Sequence, residues 1–163
     1  EEMERRLAAW LGARTVVWLG GEVEGDDTDG HVDDLARFVA PGVVVACRED
    51  DAADANHAGL ADNLRRLRAA RDAQGKPLEV VELPMPPPVV WRGERCPASY
   101  ANFYIANGVV IVPTFNDVND RLALNTLAEL MPRHQIIGLH AVDLVWGLGT
   151  LHCLTQQEPQ SLK

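Results

Sequence analysis

Three side chains of this sequence could jointly grip and attack a planar cation: His31, Asp33 and Cys153. The first two lie in Gly25-Asp26-Asp27-Thr28-Asp29-Gly30-His31-Val32-Asp33-Asp34. At the start of a strand, residues two apart project to the same face, so His31 and Asp33 are expected side by side. Histidine titrates near neutrality and can pass a proton both ways, and a carboxylate can accept paired N–H bonds from a guanidinium. A calcium loop is the first rival, but the frame that fits Asp27, Asp29 and Gly30 puts Gly25 at the first ligand position and Ala36 at the last, which excludes it. The plain structural alternative is an acidic turn whose carboxylates cap backbone amides.

Cys153 follows Trp146-Gly147-Leu148-Gly149-Thr150-Leu151-His152, where the glycines allow a tight backbone path. A nucleophilic cysteine needs thiolate character, which a protonated histidine or a bound guanidinium can supply. The alternative for a lone cysteine is a small buried hydrophobe, the reading that suits Cys47, inside an apolar run, and Cys96, in a Pro-rich loop. His31, Asp33, His152 and Cys153 are also of metal-ligand type, but adjacent residues on an extended strand face opposite ways, leaving at most three convergent ligands, so no metal site is assigned. His57, His134 and His140 fall at element ends and read as surface residues.

The whole chain sets bounds on this chemistry. Its 163 residues, 47% hydrophobic and 24% charged, can bury one core, and three widely spaced cysteines make neither a disulfide scaffold nor a zinc site. A net charge of -9 argues against nucleic acid and suits a small cationic ligand, although an acidic surface also serves solubility. No apolar run is long enough for a bilayer and no export signal is present, so no membrane partner is expected and the cytoplasm is the default compartment. The first helical pattern, Met3 to Leu11, starts without a capping residue behind Glu1-Glu2, which suggests that further residues precede it.

An internal repeat is expected to position the three residues. Leu35 to Ala46 lies over Ala101 to Val112 at an offset of 66 residues. Each copy reads as two β-runs joined at Pro41-Gly42 or Asn107-Gly108, the latter expected to have positive φ at its centre. Helical patterns follow, starting at Asp50-Asp51 with Leu60, Leu64 and Leu67, and at Asn116-Asp117 with Leu122, Leu127 and Leu130. Short strands then run over Leu78 to Leu83 and Gln135 to Leu139. The unit is ββαβ, an α/β design, present approximately over 31–84 and 97–140. Partial copies flank the pair: 1–19 reads as a helix and last strand over Thr15 to Leu19, and 150–163 as the start of the next hairpin. Equivalent loops of consecutive units then carry His31, the Ser99-Tyr100-Ala101-Asn102 segment and Cys153, and stacking of such units brings these loops to one end.

The stretches Glu24 to Asp33, Ser99 to Gly108 and Leu151-His152-Cys153-Leu154-Thr155-Gln156-Gln157-Glu158-Pro159 resemble the agmatine deiminase family, within the bacterial-type peptidylarginine deiminases. The resemblance implies a pentein fold, a fivefold ring of ββαβ modules, of which this chain would be the C-terminal part and about half. It implies hydrolysis of agmatine to N-carbamoylputrescine and ammonia, a step toward putrescine, without a cofactor. Cys153 would be the nucleophile, His31 the general acid and then base, and Asp33 a guanidinium ligand. Asp27, Asn102 and Gly149 would line the substrate pocket, and a homodimer would be compatible. Family members commonly carry Gly-Gly-Gly-Asn where this chain has Gly147-Leu148-Gly149-Thr150. The second guanidinium-binding carboxylate is expected upstream of this chain, so the 163-residue piece alone is expected to be weak or inactive. A peptidyl-arginine substrate, or a silent guanidine-binding or assembly module, are the alternatives.

Overall fold

A computed structural model describes residues 1–27 and 30–159 of the chain. Helix α1 spans Glu2–Leu11 and ends at Gly12, whose φ of 68° suits a left-handed cap. The first repeat follows as strands β1 (Ala36–Ala40) and β2 (Val43–Arg48), helix α2 (Asn56–Ala69) and strand β3 (Glu79–Pro84). A small hairpin, β4 (Val89–Trp91) and β5 (Glu94–Cys96), leads to the second repeat: β6 (Tyr104–Ala106), β7 (Val109–Thr114), α3 (Val118–Leu130) and β8 (Gln135–His140). In both repeats the first two strands are antiparallel and the third lies parallel to the second, with the helix as crossover. The ββαβ design is therefore present twice, and β2 and β7 begin 66 residues apart, at Val43 and Val109.

Alternation along β2 explains how one short sheet serves two packing layers. Val44 and Ala46 pack with Leu64 and Leu67 of α2 and with Leu78. Val45 and Cys47 face the other way, into a cluster shared with Tyr100, Phe103, Val110, Val112 and Leu127 of the second repeat. The second repeat leaves more apolar surface open, since Ile137 and Leu139 of β8 are both at least 40% exposed.

Several expectations give way to local physics. Residues 15–19 form no strand: a strand needs a ladder partner, and none pairs with them among the described residues, although Val17 and Leu19 do pack on the core. Helix α2 starts at Asn56, not at Asp50-Asp51, because Asp51 and Asp54 bind the amides of Ala53 and Asn56 and hold the preceding backbone in turns. In α3, Asp117 and Asp120 form a capping box as the amide-rich start suggested, but Leu122 is 49% exposed and Ala123 and Leu127 supply the buried stripe. Cys96 belongs to strand β5, not a loop; Arg92 and Gly93, both with positive φ, close that hairpin with a mirror-image turn. At Asn107-Gly108 only Gly108 has positive φ. Cys47 and Cys96 are buried, as the plain reading held.

Candidate active site

A short 3-10 turn, Val32–Asp34, precedes β1, so His31 and Asp33 do not start a strand. Consecutive acids and a glycine shape it instead: the carboxylate of Asp26 accepts the His31 backbone N–H at 2.6 Å and faces the ring Nδ1 at 3.2 Å. Asp26 is almost wholly buried while the His31 side chain is 45% exposed. Asp27 stays on the exposed rim, and Thr28 and Asp29, quoted in the same motif, fall outside the described residues. Asp33 points inward and is 14% exposed.

Residues 99–102 are fixed from three directions. Tyr100 is fully buried, donates its hydroxyl to Asp120 of the α3 capping box at 2.7 Å and packs edge-on against Phe115. Ser99 Oγ donates to the Asp34 carbonyl at 2.8 Å. Arg37 on β1 donates to the carbonyls of Ala101 (3.3 Å) and Phe103 (2.9 Å), on either side of Asn102, and lies over the Phe103 ring. Asn102 therefore sits in a rigid frame, 1% exposed.

Asn102 organises the cysteine. Its Oδ1 accepts from the backbone N–H groups of Thr150 (3.2 Å), His152 (3.1 Å) and Cys153 (3.3 Å) and from Thr150 Oγ1 (2.9 Å). With those amides drawn to one oxygen, residues 150–154 coil into a turn, closed by Leu154 N–H on the Thr150 carbonyl. The expectation of a strand from Leu151 onward fails for this reason, and so does the argument that His152 and Cys153 face opposite ways. Both reach Asp33 Oδ2, His152 Nδ1 at 2.6 Å and Cys153 Sγ at 3.4 Å.

The amide nitrogen of Asn102 faces Cys153 Sγ (3.2 Å), Asp33 Oδ2 (3.2 Å) and Asp34 Oδ1 (2.9 Å). Asn102 is thus buried and engaged with Cys153, Asp33 and Asp34 at once. Gly149 has a comparable role. A Cβ there would lie 2.7 Å from Cys153 Cβ and 2.9 Å from Sγ, so only glycine lets the turn fold back on the thiol. Gly149→Ala is expected to displace Cys153 by on the order of 1 Å, read from a crystal structure of the variant.

Electrostatics define the resting state. Burial alone would raise the Asp33 carboxyl, but the hydrogen bonds from His152 and Cys153 outweigh it and hold Asp33 below the ordinary carboxylate range. The Cys153 thiol goes the other way: burial and the negative charges of Asp33 and Asp34 raise it, against the Asn102 hydrogen bond. Burial and the neighbouring charge of Asp33 push Asp34 up to about 7. These shifts favour Cys153 as a thiol beside an ionised Asp33.

Of the residues picked out by sequence, Asp33, Asn102, Gly149 and Cys153 form one connected cluster. His31 stands in the adjoining one with Asp26 and Asp34, whose polar atoms lie within 4.8 Å of one another. Asp26, Asp34, Arg37 and Thr150 escaped functional notice, and His152 was weighed only as a metal ligand. Asp26 and Asp34 carried a signal, since both belong to the acidic stretch already singled out, whereas the roles of Arg37 and Thr150 depend on partners distant in sequence.

Known proteins share this arrangement of elements. A protein of Legionella pneumophila (strain Paris), named provisionally as an agmatine deiminase, is 40% identical over the whole chain, which covers 47% of it. A Cys→Ser variant of the C. jejuni agmatine deiminase, solved with substrate bound, superposes with a TM-score of 0.91 at 32% identity, over 99% of this chain and 47% of that one. The agmatine deiminase of Enterococcus faecalis gives a TM-score of 0.91 at 36% identity, over 97% of this chain and 48% of its own. The chain thus spans about half the length of these relatives. The family model for the Porphyromonas-type peptidyl-arginine deiminases matches residues 1–159, and the chain belongs to that family.

Proposed function

We propose that this chain carries the nucleophile-bearing side of an agmatine deiminase active site, built on about half of a pentein ring, and that the working enzyme is the full-length polypeptide including the remaining modules. The observation that carries the reading is the convergence of Cys153 Sγ and an ionised Asp33 beside the Asn102 amide, with His31 in the adjoining cluster. Asp33 accepts N–H bonds from the guanidinium, and the cation's charge offsets the carboxylates that keep the thiol protonated. The Cys153 S–H proton passes to solvent as the cation binds, and the thiolate attacks the guanidinium carbon and forms a C–S bond. The C–N bond to one terminal nitrogen breaks as His31 donates a proton, and ammonia leaves. His31 then takes a proton from water, whose oxygen adds to the same carbon; the C–S bond breaks, giving N-carbamoylputrescine and the free thiolate. No cofactor enters. Such an enzyme would serve putrescine synthesis in the cytoplasm.

A second reading, arginine within peptides, draws support from the description of the family model. Ammonia release by the full-length enzyme should be compared with agmatine, free arginine and an arginine-containing peptide as substrates. Preference for agmatine by kcat/KM is expected. Preference for the peptide would favour the second reading, and release from none of the three would make the chain a silent binding or assembly module.

A further inference from the structure

Asp34 is 1% exposed, and its place is fixed by the Ser99 hydroxyl (2.8 Å) and Cys47 thiol (3.3 Å) on its backbone carbonyl. Its Oδ1 accepts from Asn102 Nδ2, whereas its Oδ2 is buried without a hydrogen-bond partner among the described residues. A carboxylate in that position would leave a charged oxygen unsolvated, which a neutral carboxyl avoids. The groups around it are mostly acidic: Asp33 on the same turn, Asp26 on the preceding loop, and Cys153 on the facing turn. His31 and Arg37 are the cations or potential cations within reach, and Cys47 on β2 lies behind.

Asn102 has two amide hydrogens for three acceptors, Asp33, Asp34 and Cys153. Whichever acceptor is more negative draws more of that donor. We propose that Asp34 is a positioning residue that works as a neutral acid: it anchors the Asn102 amide between the His31 and Cys153 clusters without placing another negative charge beside the sulfur. When Asp34 loses its proton to solvent, it competes for the Asn102 amide and repels the thiolate, so Cys153 becomes harder to ionise. The buried acid thereby links the two halves of the site.

This inference rests on the nucleophilic role of Cys153 but is tested without turnover. Alkylation by iodoacetamide is followed across pH on the Cys153 peptide of the substrate-free full-length protein, for wild type and Asp34→Asn. Asn keeps the shape of a neutral Asp, so the variant is expected to ionise Cys153 at lower pH and to alkylate roughly tenfold faster at pH 8. Superimposable profiles, or slower alkylation of the variant, would overturn the proposal. Carbon-13 titration of the Asp34 carboxyl in unmodified protein supplies a second readout that needs no variant. A midpoint near the raised value of about 7 is expected, and one in the ordinary aspartate range of about 4 overturns it. If the alkylation shift appears but no guanidine substrate is turned over, Asp34 keeps this role and the proposed function fails.

Discussion

Replacing Cys153 by Ala in the full-length enzyme is expected to lower kcat for ammonia release by at least about 10^4-fold, since loss of a covalent nucleophile removes the pathway and not merely a contact. Binding should survive. Asp33 receives its hydrogen bonds from His152 and Asn102 as well as from Cys153, so its position does not depend on the thiol alone. Calorimetry with agmatine should therefore give a Kd within a few-fold of the wild-type KM, while the activity assay shows only background. Residual turnover within tenfold of wild type would mean that water attacks the guanidinium directly.

Asn102→Asp is expected to have the second largest effect. The new side chain keeps the acceptor that gathers the amides of residues 150, 152 and 153, so the turn should still form. It loses the donor to Cys153 Sγ, Asp33 and Asp34 and places a further negative oxygen among them. The thiol, already raised by burial and Asp33, would rise again. A fall of roughly 100- to 1,000-fold in kcat/KM is expected, dominated by kcat, with slower alkylation of Cys153 in the absence of substrate. A pocket-lining asparagine would behave differently: KM would rise and alkylation would not change. The two measurements together decide between a residue behind the nucleophile and one beside the substrate.

The repeat was legible because it is written in local chemistry. Two apolar runs, a turn with glycine and a helical stripe recur at one spacing, and each copy folds as its periodicity implies. The exceptions share a cause. Residues 150–154 look like the beginning of a strand, but their amides are claimed by an Asn102 side chain some 50 residues away. His31 and Asp33 keep the spacing of strand neighbours, yet Asp26 claims the His31 amide and the Asp34 and Leu35 amides turn back onto the His31 and Val32 carbonyls. Asp34 shows the limit most plainly. In sequence it is one acid among several; only burial, an unsatisfied oxygen and the Asn102 amide distinguish it from Asp27, which stays in solvent. The β4–β5 hairpin was hidden by the prolines that flank it, although Gly93 after an apolar run carried a turn signal.

Rapid quenching of the full-length enzyme during turnover, followed by mass spectrometry of its peptides, tests the role of Cys153 most directly. The prediction is a transient amidino adduct of agmatine on the Cys153 peptide, formed and consumed at rates that match ammonia release and absent from Cys153→Ala. Full turnover with Cys153 unmodified at every time point, or an adduct carried by Cys47 or Cys96 instead, would contradict the covalent account.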